Sequence, residues 1–108
     1  MSGSIIKKVF AVSNVVPQRS VYYILAKLME EAGELAQEIT VELGDSYKEK
    51  GKDGVIGEAL DTLICCIDII YKVYPGITEE EIIERLDDKL NKWKNKPFNN
   101  VKTNSQKE

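Results

Sequence analysis

One segment limits the folds open to this chain more than any other: residues 55–74, "VIGEALDTLICCIDIIYKVY". At about 100° per residue, Leu60, Leu63, Ile64, Ile67, Ile70 and Tyr71 form one broad helical face, and Cys66, Ile69 and Val73 cover most of the rest. A helix apolar nearly all round is expected to be buried nearly all round. The exceptions fall on a single line, because Glu58, Asp61, Cys65, Asp68 and Lys72 follow one another at i, i+3, i+7, i+10 and i+14. The run is long enough to span a bilayer, but four ionised side chains at that depth are costly, so the segment reads as a buried helix of a soluble protein.

The neighbouring segments are helical too. From Ser20 to Leu43, the residues Val21, Ile24, Leu25, Leu28, Ala32, Leu35, Ala36 and Ile39 repeat at i, i+3, i+4, with Ser20 as N-cap and Gly44 just past the end. After "PG" at Pro75 and Gly76, Thr78 and Glu81 fit a capping box, and Ile82, Ile83, Leu86, Leu90 and Trp93 make the apolar face of a helix ending before Pro97. Ile5, Ile6, Val9 and Phe10 have helical spacing as well, although their β-branched content leaves a strand open. Residues 44–54, "GDSYKEKGKDG", read as a mobile connection long enough to cover a site. Its lysines are either a phosphate-contacting lid or solubilising charge, and solubilising charge is the default.

The expected fold is therefore all-α: one bundle-like four-helix domain over residues 1–98, with 99–108 a flexible polar tail. At 108 residues the chain supports one small core. Three short neighbours in one chain cannot cover the third helix on all sides, which argues for a homodimer or a dimer of dimers.

Composition narrows the chemistry. The net charge of -3 offers no basic footprint for nucleic acid. Cys65 and Cys66 are adjacent, point about 100° apart on a helix and so do not suit a mutual disulfide; they read as small buried residues in a reducing compartment. With no visible secretory signal, a cytoplasmic protein is expected. Histidine is absent, which excludes His-based triads, zinc sites with His ligands and Glu-x-x-His di-iron bundles. Any catalysis falls to carboxylates and a metal.

The second helix supplies the matching carboxylates. In "LMEEAGELAQEI", Glu31 lies within about 40° of Leu35, Glu34 and Glu38 border the same edge, and Glu30 points further towards solvent. If this edge faces the polar line of the third helix, Glu31, Glu34, Glu58 and Asp61 converge. Unpaired carboxylates in such a place cost several kcal/mol each or protonate, roughly speaking, and a divalent cation resolves the conflict. With hard oxygen donors only, Mg2+ is favoured, Mn2+ is a substitute and zinc is disfavoured.

The order Glu30-Glu31-x2-Glu34, then 23 residues, then Glu58-x2-Asp61 resembles the MazG-type all-α nucleoside triphosphate pyrophosphohydrolases, whose pattern is EExxE followed at a distance by ExxD. "KLMEEAGELAQEI" and "GEALDTLICCIDII" are similar to that family's two motif helices, and the likeness spans roughly Val21 to Asn95. The resemblance implies Mg2+ ligation by Glu31, Glu34, Glu58 and Asp61. It gives catalytic roles to Glu30, behind the ligands or assisting the attacking water, and to Glu34. Lys89 and Lys92 would contact phosphates, as point charges where the family often has an arginine. The implied reaction splits a (d)NTP between the α and β phosphorus atoms into monophosphate and pyrophosphate, clearing surplus or non-standard nucleotides. Two alternatives stay open: a non-catalytic nucleotide- or partner-binding module with a structural cation, and a narrower relative acting on dUTP, dCTP or phosphoribosyl-ATP.

The remaining features have plainer readings. Asp68 is expected to pair with Lys72 at i+4. Gly33, costly in mid-helix, points to close approach by another helix or a ligand. Tyr22, Tyr23 and Trp93 read as core or interface aromatics more than as a base-stacking platform.

Overall fold

A computed structural model of the chain describes residues 4–44, 49 and 51–97. The proposed tail 99–108, and residues 45–48 and 50 of the connection, lie outside the described residues. Four α-helices follow in order: α1 (Ile5–Val15), α2 (Val21–Glu42), α3 (Gly54–Val73) and α4 (Glu79–Lys94), with no strand among the described residues. The first segment is thus helical, its N-terminus fixed by Ser4, whose hydroxyl accepts the Lys7 amide at 3.1 Å. Ser20 does the same for Tyr23 at 3.0 Å, and Thr78 for Glu81 at 3.1 Å, each satisfying one of the amides a helix start leaves without a partner. No helix of the described residues is long and apolar enough to cross a membrane.

Contacts divide the chain into two compact units, residues 1–77 and 78–108. In the first, α2 packs along α3 and α1 packs on α3. Phe10 of α1 stacks on Tyr71 of α3, ring centroids 4.2 Å apart and planes 16° from parallel, and the Tyr71 hydroxyl donates to Asn14 Oδ1 at 3.0 Å. The second unit holds α4. None of the residues of α4 is buried, and its apolar residues Ile83, Leu86, Leu90 and Trp93 are exposed.

The orientation of α3 decides which of its faces this chain itself covers. Its polar line faces the other helices, so Cys65 and Asp68 are buried and Glu58, Asp61 and Lys72 half-buried, while Leu60, Leu63 and Ile64 are 41% to 46% exposed. Cys66 is exposed, not buried, because its neighbour Cys65 takes the inward direction. The interior of the described chain consequently pairs Ile6, Ile24, Cys65 and Ile67 with the polar residues Ser13, Glu31, Glu38 and Asp68. Every one of those polar residues needs a partner or pays for lacking one.

Asp68 has its partners, though not the expected one. The Ser13 hydroxyl donates to Oδ1 at 2.8 Å, and the Arg19 guanidinium pairs with Oδ2 while donating a further hydrogen bond to Ser13 at 3.2 Å. Lys72 instead donates to Gln18 Oε1 at 3.1 Å. The link between α1 and α2 crosses this part of α3, and the Arg19 fork reaches the inward-facing Asp68 where Lys72, further along at the helix end, meets Gln18. At Gly33 a Cβ would meet nothing within 4 Å, so no described helix of this chain makes the close approach there.

Candidate metal centre

The α2–α3 pairing follows from sequence, because each helix carries its acids on the same edge as its inward residues. It brings two carboxylate groups together around Glu58. Ligand oxygens of Glu31, Glu34 and Glu58 lie within 4.8 Å of one another, as do those of Asp53, Glu58 and Asp61. Asp61 is therefore joined to the α2 acids through Glu58, and Asp53 stands where sequence reasoning placed only a connection.

Burial makes this more than a surface cluster. Glu31 is 9% exposed, and both Glu31 Oε1 and Glu58 Oε1 are sealed from solvent without a protein hydrogen-bond partner. The other Glu31 oxygen has Lys27 at 3.6 Å, an ammonium shared with the exposed Glu30 at 3.5 Å. Among the described residues Lys27 is the cation paired with these acids, and the carboxylates outnumber it.

The protonation equilibria respond accordingly. Burial first, then carboxyl contact with Glu31 and the charges of Glu34, Glu31 and Asp53, push Glu58 from 4.5 up to about 7. The charges of Glu30 and Glu31 raise Lys27, and burial, followed by Glu31 and Asp68, raises the Cys65 thiol. In chemical terms, protons are being recruited to neutralise charge that the protein does not itself balance.

These residues fit a divalent cation. Glu31 and Glu58, each with one buried oxygen that lacks a partner among the described residues, belong to a donor set made wholly of carboxylates, which suits Mg2+ or Mn2+ and lacks the soft donors that select zinc. Glu30 is adjacent but outside both groups, consistent with its outward position on α2. Lys89 and Lys92 lie on α4 with exposed side chains.

Two residues escaped sequence reasoning as site components. Glu38, 8% exposed, extends the acidic edge of α2 by one turn and accepts the Gly51 amide on Oε2 at 2.8 Å. Asp53 sits beside α3 in a glycine-punctuated stretch, where no helical period announces its direction. The signal that could have found it is the spacing of Gly51, Gly54 and Gly57 around it. Compared with protein-family models, curated proteins and solved structures, the chain gives no match.

Proposed function

We propose that the chain is a Mg2+-dependent nucleotide pyrophosphohydrolase that cleaves nucleoside or deoxynucleoside triphosphates between the α and β phosphates. The observation that carries this reading is the convergence of Glu31 and Glu34 of α2 with Glu58 of α3, ligand oxygens within 4.8 Å, where Glu31 and Glu58 each keep a buried oxygen without a partner among the described residues. The class follows first: an all-α hydrolase whose carboxylates, with no histidine in the chain, handle a metal and a phosphate ester or anhydride. The choice of a triphosphate rests on the motif resemblance to the MazG-type enzymes.

When bound, Mg2+ neutralises phosphate oxygens and polarises a water. Glu31, Glu34, Glu58 and Asp61 hold it. Glu30, exposed beside them and paired with Lys27, would stand behind the ligands or assist the attacking water by taking its proton, and Glu34 would share that task. Lys89 and Lys92 are the residues assigned to the phosphates. The exposed Leu60, Leu63 and Ile64 support assembly as a homodimer or dimer of dimers, which a monomeric mass in light scattering would refute.

The test is incubation of the folded protein with a panel of triphosphates and Mg2+, dUTP, dCTP and phosphoribosyl-ATP included. Monophosphate and pyrophosphate are expected from at least one, and chelation should abolish them. No product from any member would overturn the reading. The exposed apolar faces also favour a second reading, a non-catalytic partner-binding module with a structural cation. It requires stabilisation by Mg2+ without turnover of any substrate.

A further inference from the structure

We propose that Asp53 is a fifth carboxylate of the cation site, laid against the first turn of α3 by the glycines around it and held there by Glu38. This inference rests on the cation-site reading above and extends it to a residue outside the EExxE and ExxD halves.

Asp53 occupies the N-cap position of α3, where an aspartate ordinarily gives its carboxylate to the amides of the first turn. Here its backbone is helical, at φ -83° and ψ -25°, and its side chain makes no capping hydrogen bond. The carboxylate is turned instead towards Glu58 and Asp61, with ligand oxygens within 4.8 Å.

The neighbouring glycines make this placement sterically specific. A Cβ added at Gly57 would fall on Asp53 Cβ and come within 2.8 Å of its Cγ, so the Asp53 side chain occupies the space a larger residue would fill. Gly54 holds φ at +67°, a conformation that costs side-chain-bearing residues energy, and so turns the chain directly after Asp53. On the other side, the Gly51 amide is bound by the buried Glu38 so closely that a Cβ there would lie 2.5 Å from Oε2. Both flanks of Asp53 are thereby fixed to the two helices that carry the other ligands.

An independent observation points to a ligand at this place. Glu58, the residue common to the Asp53 group and the Glu31 group, has a buried Oε1 without a hydrogen-bond partner among the described residues, and so has the nine-tenths buried Glu31 in the adjoining group. Once Glu58 is ionised, a cation held between the two groups would satisfy these oxygens.

The experiment titrates Mn2+ alone into the full chain, following free Mn2+ by electron paramagnetic resonance, for the wild type, Asp53→Asn, Gly57→Ala and Glu31→Gln. Asp53→Asn should weaken binding roughly 10- to 100-fold, the range seen when supporting groups of a metal site are lost. Gly57→Ala should weaken it too while leaving net charge intact, which separates ligation from a general electrostatic effect. Should Gly57→Ala fail to fold, as circular dichroism would show, the isosteric Asp53→Asn at an exposed position still decides. Wild-type affinity in Asp53→Asn, together with loss in Glu31→Gln, would overturn the role of Asp53 and leave the cation site standing. Absence of Mn2+ binding by the wild type would overturn both.

Discussion

The pairing of Arg19 with Asp68 allows a quantitative prediction, because sequence and structure assign Asp68 different partners. Asp68 is 5% exposed and Arg19 bridges it and Ser13, so truncating the arginine leaves a buried carboxylate with one hydroxyl donor. Breaking a buried pair from one side costs 3–5 kcal/mol, and because the Arg19 side chain is 24% exposed, about 3 kcal/mol is expected for Arg19→Ala. For a domain of this size, that lowers the melting temperature by roughly 12–24 °C. Lys72→Ala, which removes only an exposed hydrogen bond to Gln18, should stay within about 0.5 kcal/mol. The assay is urea and thermal unfolding by circular dichroism on both variants, Asp68→Ala and the Arg19→Ala/Asp68→Ala double variant. The double variant should be less destabilised than the two single losses added, by about 1 kcal/mol or more. Equal, small effects of Arg19→Ala and Lys72→Ala, or strict additivity, would refute the assignment.

Two further outcomes follow from the carboxylates and from α2. Since Glu58 binds its proton more tightly in the folded chain than at its ordinary 4.5, the folded state holds more protons between that value and about 7. Stability of the metal-free protein should therefore fall as pH rises through this window and level off above it as far as this group is concerned. Glu58→Gln should remove that component and melt higher than the wild type at pH 8 in chelator; a lower melting temperature there would contradict the sign. Gly33→Ala, with open space around the new methyl, should stabilise by about 1 kcal/mol through helix propensity alone. Destabilisation in chemical unfolding would instead reveal a neighbour pressed against α2 at Gly33.

The helices themselves were legible because their signals are local. The caps Ser20 and Thr78 and the stop at Gly44 lie within a turn of what they terminate, and α3 begins at Gly54 where the pattern starts at Val55. The polar line on α3 was equally legible, since periodicity alone defines it. Its direction was not: hydrophobicity would turn Leu60, Leu63 and Ile64 inward, and only the fit of Asp68 to Arg19 and of Glu58 to Glu31 shows the opposite face against the other helices. Arg19 and Asp68 are 49 positions apart, beyond any i+4 rule, so Lys72 was the nearer choice on paper. Asp53 was missed for a different reason, because a residue outside the helical period carries no angle from which its direction can be computed.

The inward polar line of α3 also reverses the usual map of mutational tolerance. On an ordinary amphipathic helix, charged positions accept almost any substitution and apolar ones few. In this chain the buried positions of α3 are Cys65, Ile67 and the charged Asp68, whereas Leu60, Leu63 and Ile64 keep 41% to 46% of their surface exposed. A saturation library read out for folding of the isolated chain would rank Asp68 with Cys65 and Ile67 as the core. If copies assemble as proposed, the same library read out for assembly would bring the leucines and isoleucine into the count, and the difference between the two maps would outline the proposed interface.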